Sequence, residues 1–373
     1  MKFKLYPLAF AITAAVAANA HAADSVQLYG VVDLGIGYEQ VKGPNGFKQS
    51  RIGMIDGGHG SSRFGLKGSE DLGNGLKAAF TLESGFNASN GRSGQSGRLF
   101  GRQATIGLES KSWGTLRAGV NENYATAWIG DVVNPFGTNF GTAGSGSSFS
   151  SAASVRFDNL IAYETPKMAG FQLGVGYSFN ADSGSSNTGF KTGDNNRAIT
   201  AGLRYSTGPV YLAAAYDSYN PSNTTGPGQR DEKLQAFILS GSYDFEVVKL
   251  GLAFGQVRDG WFKSNNMGTT PDAGDFRAFG SYRQVEGFRA NSYLVALTVP
   301  MGNNELIAAW QAADPNNDKL TGDDETMNIF SLGITHKLSK RTNLYAYGTY
   351  GDNYAFNRDA KNQAVAVGVR HRF

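Results

Sequence analysis

Residues 171–179 read Phe171-Gln172-Leu173-Gly174-Val175-Gly176-Tyr177-Ser178-Phe179. Large apolar side chains occupy every second position, and small or polar residues fill the positions between them. A β-strand places alternate side chains on opposite faces, whereas a helix would spread these apolar side chains around its circumference. The stretch therefore predicts a strand with one apolar face and one small or polar face.

The same alternation recurs along the whole chain. Residues 76–83, 249–254 and 365–373 repeat it, with apolar side chains two positions apart. Segments of this length and period favour strands over helices. We count sixteen of them, at approximately 25–40, 58–70, 75–86, 99–110, 114–121, 155–165, 170–180, 196–206, 209–219, 232–244, 247–258, 289–300, 303–312, 325–338, 341–350 and 362–373.

The connections between these segments alternate in length. Eight long stretches rich in Gly, Ser, Asn and Asp are separated by short turns at 71–75, 112–114, 166–170, 207–209, 244–247, 300–303 and 339–341. Short turns on one rim and long loops on the other are typical of transmembrane β-barrels. The predicted fold class is therefore all-β: a transmembrane antiparallel β-barrel of 16 strands with short periplasmic turns and long extracellular loops. An even strand number places both ends of the barrel on the periplasmic side.

Such a sheet must close on itself. An open edge in lipid would leave a row of unpaired N–H and C=O groups, each costing several kcal/mol. We therefore expect the first strand, which starts at Ser25, to pair with the last strand, which ends at Phe373. The alternative is a soluble, exported β-sandwich, which would not require long and short connections to alternate.

The first 22 residues read as a targeting segment. Lys2 and Lys4 precede an apolar stretch, and Ala20-His21-Ala22 fits the small-x-small cleavage rule. The alternative is a membrane anchor helix, but the apolar stretch is short for a span of about 20 residues. We expect residues 1–22 to be a signal peptide that is removed, and residues 23–373 to form a single barrel domain in the outer membrane.

Charge and composition exclude several classes of protein. Removal of Lys2 and Lys4 reduces the 34 basic residues to 32, against 31 acidic residues. This near balance argues against a nucleic-acid-binding protein that relies on bulk charge. The chain contains no cysteine, so it has no disulfide framework. Its 50 glycines and 12% aromatic residues suit strands of which only one face meets lipid.

Several stretches are similar to the general porins of Neisseria and related β-proteobacteria. Residues 101–108, 114–119 and 163–171 carry part of this resemblance. Its most specific parts are the ending Gly368-Val369-Arg370-His371-Arg372-Phe373 and the run Arg63-Phe64-Gly65-Leu66-Lys67-Gly68-Ser69-Glu70-Asp71-Leu72-Gly73-Asn74-Gly75-Leu76-Lys77. The resemblance spans the whole chain after the signal segment.

The resemblance implies a general diffusion porin, a water-filled channel for small hydrophilic solutes and ions that works without a cofactor. It also implies a homotrimer surrounded by outer-membrane lipid and lipopolysaccharide, with the third extracellular loop folded into the lumen. The terminal Phe373 is the residue that such proteins are expected to present to the barrel-insertion machinery. The trimer rests on the family resemblance alone.

The third long connection, at about 122–154, is the candidate for the pore constriction. A connection of this length without regular structure is usually functional or disordered. Its acidic residues are Glu122 and Asp131, and its Trp128 and Phe136 could pack it against the wall. The turn Asn134-Pro135-Phe136-Gly137 resembles the turn of the family's inward loop. The alternative is a loose outer loop.

The wall that faces this loop is predicted to be basic. By their parity against apolar neighbours, the lumen-facing residues are Arg63, Lys67, Lys77, Arg117 and Arg156. Arg102 shares the parity of Ala104 and Ile106, so strict alternation would point it outward. A β-bulge would turn it inward; otherwise the small residues of this strand face a neighbouring subunit or the folded loop. Because porin constrictions carry arginines, we assign Arg102 to the constriction.

A lumen lined with arginines would raise the local concentration of anions. We therefore predict a weak anion preference, weak because ions in a wide pore stay hydrated and screened by salt. Glu70, Glu83, Glu109 and Glu164 also have inward parity. The alternative is that these charges neutralise each other in pairs and leave no net preference.

Other functional sites are poorly supported. Asp314, Asn316, Asp318 and Glu325 match four ligand positions of a calcium loop, but Lys319 occupies the position that requires glycine. A solvated acidic loop is the better interpretation, and calcium bridging to lipopolysaccharide is the weaker one. The sequence offers no metal cluster, phosphate-binding loop or hydrolase triad. An outer-membrane enzyme and an adhesin are the remaining alternatives.

Overall fold

The computed structural model describes residues 26–181, 192–222, 232–263, 268–269, 277–278 and 281–373, and the predicted signal peptide lies outside these ranges. Among the described residues, no helix is long and apolar enough to cross a membrane. The described strands are β1 (Gln27–Lys42), β2 (Lys48–Asp56), β3 (Arg63–Gly73), β4 (Leu76–Gly85), β5 (Gln103–Ser110), β6 (Gly114–Glu122), β7 (Arg156–Glu164), β8 (Phe171–Ser178), β9 (Arg197–Thr207), β10 (Val210–Asn220), β11 (Leu234–Asp244), β12 (Lys249–Trp261), β13 (Gly268–Thr269), β14 (Arg277–Ala278), β15 (Arg283–Met301), β16 (Asn304–Pro315), β17 (Met327–Lys337), β18 (Thr342–Asp352) and β19 (Lys361–Arg372).

The sheet closes into a barrel. Consecutive wall strands pair antiparallel, and β1 pairs with β19 over twelve residue pairs from Val31–Arg372 to Lys42–Lys361. Strands β1, β3 to β12 and β15 to β19 make up the wall, which confirms the predicted closed antiparallel barrel of sixteen strands. Strands β13 and β14 form a separate short hairpin within the connection between β12 and β15.

The register gives every wall strand an outward apolar face. Leu34 pairs with Val369 across β1 and β19, and Leu173 pairs with Leu203 across β8 and β9. Such outward side chains are exposed in the single chain; Ile106, for example, is 67% exposed. Lipid can cover this belt. The inward positions between these side chains are small, polar or charged in part, and others carry large side chains such as Ile307 and Tyr345 that pack against loop 3.

Strand β2 was not among the predicted segments. It pairs with the part of β1 from Leu34 to Lys42, while β3 pairs with the earlier part from Gln27 to Val31. Segment 57–62, between β2 and β3, leaves the sheet because Asp33 binds it. The Gly57 N–H donates to the Asp33 carbonyl at 3.1 Å, and the His59 N–H donates to Asp33 Oδ2 at 3.0 Å. The second wall strand therefore starts at Arg63, whereas the sequence placed its start near residue 58.

Candidate pore constriction

The connection between β6 and β7, residues 123–155 (here loop 3), contacts inward-facing side chains on several wall strands. Ser148 Oγ donates to Gln311 Oε1 on β16 at 2.8 Å, and Thr142 Oγ1 donates to Asn362 Oδ1 on β19 at 2.9 Å. The Phe140 N–H donates to the Gly58 carbonyl at 2.7 Å. Loop 3 therefore crosses the interior of the barrel.

Glycines on the inner face of the wall make room for the aromatic side chains of loop 3. A Cβ at Gly174 would lie 2.4 Å from Cζ of Tyr124, and a Cβ at Gly202 would lie 2.7 Å from Cε3 of Trp128. The Arg204 guanidinium lies 4.5 Å from the centre of a Trp128 ring, a cation–π contact. The small residues of β8 and β9 thus seat the start of loop 3 directly on the wall.

The turn at residues 134–137 is held by its own asparagine. The Gly137 N–H donates to the Asn134 carbonyl at 2.9 Å, and the Phe136 N–H donates to Asn134 Oδ1 at 3.0 Å. Asn134 Nδ2 donates to the Ala143 carbonyl at 3.1 Å. Gly137 has a φ of 59°, a left-handed conformation that glycine adopts without strain. This turn directs the Phe136 ring to a position where it is 1% exposed.

A cavity of about 630 Å³ lies beside loop 3 and is bordered by the wall strands β3 to β6, β12, β15, β16 and β19. At its edge, Glu83 accepts from Arg102 Nε at 2.6 Å and lies 3.4 Å from Arg63 Nε. The Tyr29 hydroxyl donates to the other oxygen of the same carboxylate at 3.0 Å. One wall carboxylate is therefore shared by two arginines of the predicted constriction.

The inward position of Arg102 has a simple cause. Strand β5 begins at Gln103, so the alternation of its side chains does not extend back to Arg102. The Arg102 N–H donates to the Glu83 carbonyl at 3.2 Å, and its side chain reaches the carboxylate of the same residue. Neither explanation offered from the sequence, a bulge or small residues against a neighbouring subunit or loop, is needed.

The acidic residues assigned to loop 3 occupy two different settings. Glu122 is the last residue of β6, and its carboxylate forms an ion pair with Arg156 on β7. Asp131 lies in loop 3 and accepts from the Thr138 N–H at 2.9 Å. Burial, and secondly the negative charge of Glu122, raise the pKa of Asp131 above its ordinary value.

The structure groups only part of the predicted basic wall with loop 3. Arg63 and Arg102 border the cavity, and Arg156 donates to the Ser154 carbonyl at 3.2 Å. The other three face the lumen away from the cavity. Lys67 Nζ lies 5.2 Å from the Tyr29 ring centre, Arg117 lies 3.9 Å from Glu164, and Lys77 pairs in register with Asp71 near the short-turn rim.

Several charged residues of the cavity were missing from the predicted set. They are Lys249, Glu305, Arg370 and Arg372, and together with the predicted residues they give five basic and four acidic side chains. The signal was present in the final strand, where Arg370 and Arg372 alternate with outward Val369.

The candidate calcium ligands are engaged elsewhere. Asp314 accepts from the Thr326 hydroxyl at 2.6 Å, and Glu325 accepts from Arg358 Nε at 2.6 Å. Within the part of the chain that the structure describes, no group of three or more His, Cys, Asp or Glu side chains is arranged to hold a metal ion. The bonds of Asp314 and Glu325 to Thr326 and Arg358 favour the solvated-loop interpretation.

The third long connection of this barrel folds into the interior beside a charged cavity, an arrangement that other proteins share. A sequence profile described as Gram-negative porin matches residues 9–355. The chain belongs to this porin family. An outer membrane porin protein of Bordetella pertussis is 50% identical to this porin, covering 98% of this chain and 99% of the relative.

Two further relatives support the same assignment. The major outer membrane protein P.IB of Neisseria lactamica is 31% identical, covering 93% of this chain and 94% of the relative. The structure of an anion-selective porin from Comamonas acidovorans superposes with a TM-score of 0.73 at 26% identity, covering 94% of this chain and all of that one. The predicted family is confirmed, and this porin is an outer-membrane β-barrel channel for passive diffusion.

Proposed function

We propose that this porin passes small hydrophilic solutes and ions with a weak preference for anions, and that it performs no covalent chemistry. The observation that carries the proposal is the charge of the cavity, in which five basic side chains face four acidic ones. A small positive excess attracts anions without excluding cations, because ions in a water-filled pore remain hydrated and screened. The anion-selective relative at 26% identity supports the same sign.

In this proposal, loop 3 narrows the channel and the selecting charges are those nearest to it. Glu83 offsets part of the charge of Arg63 and Arg102, and Glu122 offsets that of Arg156. With Asp131 of loop 3, three acids face these three arginines at the narrow part of the channel (the neck), and the small positive excess of the cavity comes from Lys249, Arg370 and Arg372 against Glu305. Lys67, Lys77 and Arg117 then contribute to the field on the short-turn side rather than at the neck.

The test is the zero-current potential of the refolded porin across a KCl gradient, measured in a planar bilayer. The expected sign is that of chloride permeating faster than potassium. Replacing Arg63, Arg102 and Arg156 together by Gln should reverse that sign, because Glu83 and Glu122 would remain. Open channels with an unchanged sign in the triple variant would contradict the assignment of these residues, whereas a folded barrel without any conductance would contradict the channel itself.

We also propose that the porin works as a homotrimer in lipid and lipopolysaccharide, after removal of residues 1–22 and insertion directed by Phe373. The porin family supports the trimer. The candidate interface is the apolar patch of the outer wall in which Ile106 pairs with Phe80 on β4 and with Ala118 on β6. Native mass spectrometry should show three copies, and Ile106→Lys should shift the population toward monomers if this patch is the interface.

A further inference from the structure

Two inward arginines flank one small apolar residue next to the cavity. Val31 on β1 pairs with Arg63 on β3 and, on its other side, with Arg372 on β19. All three side chains point inward, and Val31 is only 5% exposed. Since neighbouring strands lie about 4.8 Å apart, the two arginine backbones are separated by only about 10 Å.

Arg370 lies on the same inner face, two residues from Arg372 and opposite Asp33. Its Nε donates to Asn343 Oδ1 at 3.1 Å, and its Nη1 donates to the His59 carbonyl at 3.4 Å. A guanidinium has five N–H donors, so these two bonds leave most of its donors available. Arg372 is exposed, and its side chain forms no hydrogen bond with any residue that the structure describes.

The acids in this region neutralise this pair only in part: Asp33 lies opposite Arg370 in the register and offsets some of its charge, whereas Arg372 lies opposite the apolar Val31. Among the described residues, no carboxylate lies within the 4 Å ion-pair distance of Arg370 or Arg372, in contrast to Arg63, Arg102, Arg117 and Arg156. The nearby Asp33 carboxylate already accepts from the Tyr345 hydroxyl at 2.8 Å and from the His59 N–H at 3.0 Å. The remaining acids that border the cavity are Glu83, Glu122, Asp131 and Glu305.

The hydrogen bonds also fix the state of His59. Arg370 can only donate, so the Asn343 amide must turn its oxygen toward Arg370 and its nitrogen toward the histidine. Asn343 Nδ2 therefore donates to His59 Nδ1 at 2.8 Å, and the neutral ring carries its proton on Nε2. The neutral side chain of His59 therefore adds no charge beside the arginines.

We propose that Arg370 and Arg372 form a binding station for a small oxyanion of the phosphate or sulfate type, next to the neck arginines Arg63 and Arg102. Guanidinium groups bind such anions through paired N–H donors, and Arg370 and Arg372, unlike Arg63 and Arg102, form no ion pair with a described carboxylate. The station rests on the proposed channel function, because the anion reaches it through the lumen. Contact with water keeps the binding weak, so the anion is released and transport continues.

The test measures KCl conductance in a planar bilayer while inorganic phosphate is added at constant ionic strength. The conductance of the unaltered porin should fall and saturate as phosphate occupies the station. The double variant Arg370→Gln, Arg372→Gln should need at least about fivefold more phosphate for half of the effect, since two charged donor groups are lost. Arg358→Gln, a loop residue paired with Glu325, is the matched control and should behave like the unaltered porin.

Two results would overturn the station. One is a double variant that is as sensitive to phosphate as the unaltered porin. The other is an effect that disappears in Arg102→Gln but persists in the double variant, since the anion would then bind at the neck. Should the double variant not fold, Arg372→Gln alone provides the test, because its side chain has no hydrogen bond to lose among the described residues. KCl steps without any phosphate effect would reject the station and keep the channel.

Discussion

Arg102 Nε and Glu83 Oε1 are 2.6 Å apart, with both side chains only 12% exposed. The same carboxylate also lies close to Arg63 and accepts from the Tyr29 hydroxyl. A carboxylate placed between two arginines keeps them oriented toward the lumen and at the same time lowers their attraction for anions. The pair therefore limits the selectivity of the neck.

Glu83→Gln should strengthen the anion preference. Glutamine keeps the size of the side chain and can still accept from Tyr29, but the two arginines lose their neutralising partner. The chloride-to-potassium permeability ratio should rise by roughly twofold, as expected for one charge in a water-filled neck. Zero-current potentials measure this ratio, and Glu325→Gln in the loop ion pair is the control. An unchanged or lower ratio in Glu83→Gln would contradict the neutralising role.

Gly202→Val should weaken the packing of the start of loop 3 against the wall. Its Cβ would overlap the Trp128 ring, so the ring and the start of the loop would have to move. Overpacking of this kind costs about 1–3 kcal/mol, which urea unfolding of the vesicle-inserted barrel can detect. We also expect noisier open-channel currents. Gly348→Ala is the control, because the nearest side-chain atom would lie at an ordinary 3.6 Å. Equal stability of the two variants would argue against this packing role.

Asn134→Ala should disorganise the turn of loop 3 that carries Phe136. The substitution removes the acceptor of the Phe136 N–H and one of the two donors to the Ala143 carbonyl, which keeps its bond from Gln311 Nε2 at 2.7 Å. Loss of the partner of the buried Phe136 N–H costs about 1–3 kcal/mol. The expected readout is a lower unfolding midpoint with rapid current fluctuations. The exposed Asn90→Ala is the comparison, and steady currents in Asn134→Ala would refute the idea.

Lys263 should make the anion preference depend on pH. Its Nζ donates to the Ser154 carbonyl at 3.2 Å. Burial, and secondly the charge of Arg156, lower the pKa of Lys263 to about 8. A lysine is charged below its pKa, so the anion preference should decrease as pH rises from 7 to 9. Zero-current potentials over this range should show the decrease in the unaltered porin, and a much smaller one in Lys263→Met. A decrease of equal size in both proteins would place the titrating group elsewhere.

The barrel could be predicted from the sequence because the alternation of apolar and small or polar residues is present within each wall strand. Residues 171–179 alternate strictly, and that pattern indicates a strand with one apolar face. The alternation of long and short connections predicts that consecutive strands are neighbours. Because lipid tolerates no free strand edge, the sheet is also predicted to close. The pairing of β1 with β19 follows from these local patterns and one physical constraint.

The direction of charged side chains that lie outside the alternating segments could not be predicted in this way. Arg102 precedes its strand, so its direction depends on the Glu83 carboxylate across the sheet. Segment 57–62 leaves the sheet because Asp33 binds its N–H groups, a contact between distant parts of the chain. Parity assigns a side chain to a face, but it does not give the height along the barrel at which that side chain meets loop 3.

The sequence alone thus determined the sixteen wall strands and their order, because alternation and loop length are local properties of the chain, and it determined the closed barrel because lipid tolerates no free edge. It did not reveal β2. Only the tertiary structure decided which charges share the cavity with loop 3. Arg63, Arg102 and Arg372 come together because closure brings the first and last strands side by side. That neighbourhood arises from hydrogen bonds between strands more than 300 residues apart in sequence, such as those linking β1 to β19.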